Sequence, residues 1–99
     1  MNAQVAVLPD DLIDERELSK LRWRCRRGLL ENDIFIARFF EKFAKKLTVK
    51  HTQGLNALMD LSDSDLLDLH LGRKSLVQVD PDLVRDDVSE VLCMLREKP

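Results

Sequence analysis

The sequence predicts an all-α fold, a compact five-helix bundle in a single domain. Apolar residues recur at helical spacing through most of the chain, and no alternating, strand-like run of useful length occurs. A length of 99 residues fits one domain with one modest core. We expect a flexible N-terminal tail over residues 1–14 and the helical domain over residues 15–99.

The first predicted helix covers residues 14–27 and presents Leu18, Leu21 and Cys25 on one side, at i, i+3 and i+7. Gly28 follows directly. Helices commonly end in the left-handed backbone conformation, which glycine adopts at little cost. We therefore expect Gly28 to be a helix C-cap.

The second predicted helix covers residues 33–47 and has the strongest periodic signal in the chain. Its apolar residues recur at i, i+3, i+4, i+7 and i+11. These residues, predicted to be core, are Ile36, Phe39, Phe40, Phe43 and Leu47. The polar residues Glu31, Asn32 and Asp33 stand at its start, where such side chains cap free N–H groups and favour the helix dipole.

Three further helices complete the predicted bundle. The third covers about residues 48–60, and the fourth begins after Ser62 as N-cap and ends before Gly72. A loop is predicted from Gly72 to Val79. The fifth helix is expected to begin with Asp80 as N-cap and Pro81 at its first position.

Catalytic and metal-binding patterns are weak. The sequence has no Gly-rich phosphate loop and no nucleophile motif, and we interpret His51 and His70 as solvated or internally satisfied side chains. The acidic residues between positions 60 and 68 lack the glycine and terminal glutamate of a calcium loop. Cys25 and Cys93 have no metal-type spacing and are predicted to be reduced thiols. We expect a protein that is not an enzyme.

The distribution of hydropathy indicates the cellular location, and that of charge concerns the binding partners. No apolar run is long enough to cross a membrane, and residues 1–16 do not resemble a signal peptide, so we expect a bacterial cytoplasmic protein. Residues 1–50 carry 11 basic and 8 acidic side chains, whereas residues 51–99 carry 5 and 10. Such asymmetry concerns partners rather than fold.

The Arg-rich segment 22–27 admits two interpretations. Arginines beside Trp23 can clamp a nucleic-acid strand, so a small helical nucleic-acid-binding or regulatory module is one alternative. At 100° per residue, however, these arginines would point in different directions, and the net charge of −2 is unlike that of a nucleic-acid module. Trp23 cannot share the side of Leu18, Leu21 and Cys25. It either packs on a flanking helix or remains exposed, as in a protein-binding surface.

The segment from Trp23 to Glu41 carries a more specific pattern. It resembles the small flavinylation-factor family that assists succinate dehydrogenase, whose signature is Arg-Gly-x-x-Glu, continued by x-Asp and an aromatic pair. Arg27, Gly28, Glu31 and Asp33 match the signature. The aromatic pair with its acid matches Phe39-Phe40-Glu41, and the W-x-C-R-R-G lead-in resembles bacterial members.

Further along the chain, Asp63-x-Asp65-Leu66 is similar to the D-x-D-L element of the family. Leu69 departs from the family pattern, which commonly has tryptophan there. The resemblance covers residues 18–96 and implies five helices.

The resemblance implies an assembly factor. Such proteins bind the flavoprotein subunit of succinate dehydrogenase, and in some bacteria that of fumarate reductase, and promote covalent attachment of FAD to a histidine of that partner. FAD would then be the cofactor of the partner, with none bound stably by this chain. We expect a monomer that binds no nucleic acid and does not insert into membranes.

The resemblance also implies which residues bind the partner. Arg27 would supply charge-assisted hydrogen bonds, Gly28 would allow close backbone approach, and Glu31 would be part of the exposed contact face. Trp23 and Arg26 are further contact candidates. Asp33 belongs to the same set, although we assign it mainly to capping the second helix.

Overall fold

The computed structural model describes residues 8, 10–26 and 29–97, and these residues form six α-helices and no strand. The helices are α1 (Glu15–Arg24), α2 (Leu30–Phe43), α3 (Val49–Met59), α4 (Asp63–His70), α5 (Leu76–Val79) and α6 (Asp86–Arg96). The all-α prediction is confirmed. The predicted number of five helices is wrong, because the one-turn α5 forms where a loop was expected.

The core lies where α2, α3, α4 and α6 meet. Phe39 and Phe40 are buried as predicted, whereas Phe43 is partly buried and packs against the edge of the core. Among the described apolar side chains, those with no exposed surface are Cys25, Leu55, Leu58, Leu66, Leu69, Val88 and Val91. Leu69, the position at which the sequence departs from the pattern of the family it resembles, is therefore a core residue.

Helix α3 approaches the start of α6 closely at Gly54. A Cβ atom on Gly54 would lie 2.7 Å from the carbonyl carbon of Asp87, 3.1 Å from the backbone N of Val88, and closer still to the Asp87 carbonyl oxygen. Gly54 interrupts the apolar pattern of α3 because the backbone of α6 occupies the space of a side chain.

The boundaries of α1 and α2 differ from the prediction. Helix α1 ends at Arg24 with Cys25 as its C-cap (φ −85°, ψ 1°), three residues earlier than predicted. The predicted cap, Gly28, lies outside the described residues. Helix α2 begins at Leu30 after Leu29, whose backbone is extended and whose side chain makes no capping hydrogen bond. The backbone N–H of Asp33 donates to the Leu29 carbonyl oxygen at 3.0 Å, which places Asp33 within the helix.

The start of the last helix was also predicted too early. Asp80 and Pro81 do initiate a helical turn, but it is a 3-10 turn over Pro81–Leu83. The backbone then becomes extended at Arg85 (φ −137°, ψ 151°), and α6 begins at Asp86. The interruption allows Leu83 to be buried before α6 starts.

Residues 11–13, predicted as part of a loose tail, pair with the junction between α2 and α3. Leu12 and Thr48 form an isolated antiparallel bridge. The Ile13 N–H donates to the Leu47 carbonyl oxygen at 3.0 Å, and the Val49 N–H donates to the Asp11 carbonyl oxygen at 2.9 Å. Ile13 packs against the core, so this segment ties the start of α1 to the bundle.

Several predicted helix ends are confirmed. Ser62 caps α4 by accepting from the Asp65 N–H at 3.2 Å, and Gly72 follows α4 with a φ of +74°. Neither Cys25 nor Cys93 forms a disulfide, as predicted. Within the described part of the chain, no helix is long and apolar enough to span a bilayer.

Candidate functional site

An open groove of about 990 Å³ lies between α1 and α2. It is lined by ten residues of these helices and the turn after α1: Ser19, Arg22, Trp23, Cys25, Arg26, Asp33, Ile36, Ala37, Phe40 and Glu41. We call it the α1–α2 groove. It brings together Trp23, Arg26 and Asp33, which the sequence analysis had placed on the same partner-binding surface.

The two walls of the α1–α2 groove carry opposite charge. Arg22 and Arg26 belong to the α1 wall, and Asp33 and Glu41 belong to the α2 wall. Apolar side chains complete the lining between the walls: Cys25, Ile36, Ala37 and Phe40. Such a groove offers both apolar contact and charged hydrogen-bonding groups to a protein segment.

Trp23 is the most exposed large apolar side chain among the described residues, at 71%. The Arg26 guanidinium lies 4.9 Å from the centre of its ring. The sequence left open whether Trp23 packs on a flanking helix or stays exposed, and the structure shows that it is exposed. Aromatic and arginine side chains in this arrangement are typical of the residues that dominate protein interfaces.

Glu31 lies on a different side of α2 from Asp33. It is exposed in the first turn and is not among the residues that line the groove. Residues two apart on a helix are separated by about 160° around the axis. Leu30 and Ile34, on the side of α2 between these acids, are 68% and 48% exposed. The exposed surface of α2 thus continues from the groove across an apolar strip to Glu31.

Part of the predicted signature falls outside the described residues. Arg27 and Gly28 are in this position, so their partner-binding roles stay predictions. The capping role assigned to Asp33 is wrong, because α2 starts three residues earlier than expected and Asp33 is its fourth residue. Asp33 instead contributes a carboxylate to the groove wall.

The arginines of α1 do not form one basic stripe, as their spacing predicted. The Arg24 guanidinium forms an ion pair with Asp60 at 3.0 Å. The Arg22 guanidinium lies 5.1 Å from the ring centre of Phe40, inside the groove. Arg26 stacks on Trp23. This dispersion argues against a continuous track for a nucleic-acid backbone, which requires cations along one face.

Sequence reasoning missed a buried polar pair beneath the first turn of α2. Asn32 was expected at a helix cap, but its side chain has no exposed surface and its amide Nδ2 donates to the Asp63 carbonyl oxygen at 3.0 Å. This orientation makes His70 Nδ1 the donor to Asn32 Oδ1, also at 3.0 Å. The His70 ring stacks on Phe35, with 4.7 Å between ring centres. His70 is therefore a buried side chain whose Nδ1 is hydrogen-bonded within the protein, and it is not a solvated one.

The described residues, 8, 10–26 and 29–97, contain no group of three or more His, Cys, Asp or Glu side chains arranged to hold a metal ion. The acidic side chains near α4 have other partners. Asp60 pairs with Arg24, and Asp68 lies 3.7 Å from Arg73 and 3.5 Å from Lys74.

Comparison with known proteins identifies relatives of the chain. The model of a family described as flavinator of succinate dehydrogenase matches residues 19–98. The chain is 42% identical over 85 residues to the FAD assembly factor SdhE of Ralstonia nicotianae, and the match covers 84% of each chain. It is 45% identical over 53 residues to the SdhE protein of Coxiella burnetii, covering 54% of this chain and 65% of that one. No solved structure matches the chain.

Proposed function

We propose a function from one established premise: the chain belongs to the family of succinate dehydrogenase flavinators. It is an assembly factor that binds the flavoprotein subunit of succinate dehydrogenase and promotes covalent attachment of FAD to that subunit. The observation that supports this most directly is the α1–α2 groove, with an exposed tryptophan and walls of opposite charge next to the signature segment.

The groove is suited to hold a protein segment rather than to carry out bond chemistry. Trp23 offers a large rigid apolar surface, and Arg26 keeps its guanidinium on the ring face. A partner segment with a carboxylate towards Arg22 and Arg26 and a cation towards Asp33 and Glu41 would match both walls. The apolar strip of Leu30 and Ile34 extends the contact area beyond the groove.

The contribution of such a factor to flavinylation is positional. FAD supplies the reactive ring and the partner supplies the histidine, while this chain holds the flavoprotein in the geometry in which the two groups meet. Fixing reacting groups in a productive arrangement removes much of the entropic part of a barrier. The sequence contains three glycines and no Gly-rich phosphate loop, so we expect the flavin to be held by the partner.

Covalent flavin on the flavoprotein subunit, measured by in-gel fluorescence, tests this function in cells with and without the chain. We expect the signal to fall on deletion and to return with the wild-type chain but not with Gly28→Arg. An unchanged signal on deletion would refute the proposal. Measuring the flavoprotein of fumarate reductase in the same gel tests whether that protein is a second partner, which stays a prediction.

Binding of the purified flavoprotein subunit tests the groove itself. Removing an interface tryptophan at the centre of a contact typically costs about 2 kcal/mol or more, so Trp23→Ala should raise the dissociation constant about thirtyfold. Val84→Ala is a matched control, because Val84 is also a large exposed apolar residue, at 59%, and is absent from the groove lining. Equal affinity of both variants would remove Trp23 from the interface.

A further inference from the structure

We infer that Asn32 and His70 are positioning residues for the partner-binding surface, which extends the proposed function and rests on it. Asn32 stands in the sequence between Glu31 and Asp33, and its side chain is directed into the bundle. The pair fixes the first turn of α2 on α4, so that Asp33 is held towards the groove and Glu31 away from it.

The contacts of the pair converge on one turn of α2. The Asn32 amide bonds to the start of α4 through the Asp63 carbonyl oxygen and to the end of α4 through His70 Nδ1, each at 3.0 Å. One turn further along α2, Phe35 stacks on the His70 ring, and the Arg38 guanidinium lies 4.9 Å from the centre of the Phe35 ring. The first two turns of α2 are therefore joined to both ends of α4.

The Asn32–His70 pair contributes more to the orientation of α2 than to the stability of the fold. Hydrogen bonds within a protein replace bonds to water, so their net contribution to folding is small. Their directionality, however, admits one arrangement, whereas apolar side chains at these positions would tolerate rotation or sliding of α2. A rotation of α2 would move Asp33 out of the groove wall, and Leu29, which precedes the helix, provides no side-chain cap to resist it.

Substitutions at His70 separate the two contacts of its ring. His70→Phe retains an aromatic ring next to Phe35 and removes the donor to Asn32. His70→Asn places an amide nitrogen near the position of Nδ1 and removes the ring. Asn32→Ala removes both hydrogen bonds of the amide. Val88→Ala is the control for general loss of stability, because Val88 is fully buried in α6 beside Gly54 of α3.

Native-state hydrogen exchange of the full chain reports the position of α2 without any partner. We expect the amides of residues 33–36 to exchange about tenfold faster in Asn32→Ala and His70→Phe than in Val88→Ala. Each exchange rate is first corrected for the global unfolding free energy of the same variant. His70→Asn should stay within about threefold of the control, because it keeps the donor. Equal exchange in all four variants would refute the inference.

The dissociation constant for the purified flavoprotein subunit, measured at a temperature where every variant is folded, links this geometry to function. We expect it to rise about tenfold for Asn32→Ala and His70→Phe and to stay unchanged for Val88→Ala. Altered exchange with unaltered affinity would refute the positioning role. Absence of binding by the wild-type chain would instead refute the proposed function, and the exchange data would still decide whether the pair fixes α2.

Discussion

Replacing Gly54 by alanine tests the close contact between α3 and α6. In an isolated helix, this change stabilises by about 1 kcal/mol, because alanine loses less backbone entropy than glycine. In this protein the new methyl group would lie 2.7 Å from the carbonyl carbon of Asp87 and 3.1 Å from the backbone N of Val88. Ordinary contacts of this kind are about 3.5–4.0 Å, so α3 and α6 would have to separate by about 1 Å.

The cost follows from what this separation loosens. The atoms that oppose the methyl group belong to the backbone, so no side-chain rotation can relieve the overlap. Leu55 and Leu58 of α3 and Val88 and Val91 of α6, all fully buried, would lose part of their packing. Overpacking of this kind costs typically 1–3 kcal/mol, and the upper end applies here because the opposing atoms are backbone. Subtracting the gain of about 1 kcal/mol in helix propensity leaves an expected net loss of about 2 kcal/mol.

Thermal and urea unfolding followed by circular dichroism at 222 nm measure the effect. A loss of about 2 kcal/mol in a chain of this size lowers the melting temperature by about 8–16 °C. Gln53→Ala is the control, since it introduces the same residue one position earlier, on the exposed side of α3, and should shift the melting temperature little. A melting temperature of Gly54→Ala at or above that of wild type would refute the reasoning.

Three further predictions concern a carboxylate, a turn and the thiols. The side-chain hydrogen bonds from Arg85 hold the pKa of Asp87 below its usual value. This carboxylate therefore stabilises the fold above about pH 4, and the contribution is lost as the pH falls through its folded pKa. Urea unfolding between about pH 2.5 and about pH 7 should show that Asp87→Asn loses less stability on acidification than the wild type. Gly72→Ala should cost about 1–2 kcal/mol in the same assay, because φ is +74° there, and an unchanged urea midpoint would contradict this. A thiol reagent should modify the exposed Cys93 in the native protein and the buried Cys25 after unfolding, and rapid reaction of both would show that Cys25 is accessible.

Helix positions could be predicted where the pattern is local. The spacing of Ile36, Phe39 and Phe40 determines which side of α2 is buried, and all three are buried. Ser62 also acts as the predicted cap, because the capping hydrogen bond involves a residue three positions away. Such features depend on neighbours within one or two helical turns, which a single sequence displays directly.

Features that depend on distant partners could not be predicted in this way. Asn32 was interpreted as a capping residue from its place at the start of a helix. Its burial could not be predicted, because its partner His70 lies 38 positions further along the chain. Its burial moves the start of α2 towards the N-terminus and places Asp33 in the groove wall. The exposure of Trp23 was likewise undecided. Helical spacing excludes Trp23 from the core-facing side of α1, but it does not specify whether another helix covers the remaining sides.

The bridge between Leu12 and Thr48 affects how binding is coupled to local unfolding. Helix α1 buries one residue within its length, Leu21, and packs Leu18 only partly against the core. Its attachment therefore also depends on this bridge, on the burial of Cys25 just after it and on the exposed Arg24–Asp60 ion pair. We therefore expect the wall that carries Trp23 to open at a lower free energy than the α2 wall. A bound partner stabilises the closed wall by mass action, so it should slow amide exchange in α1 more than in α3 or α6.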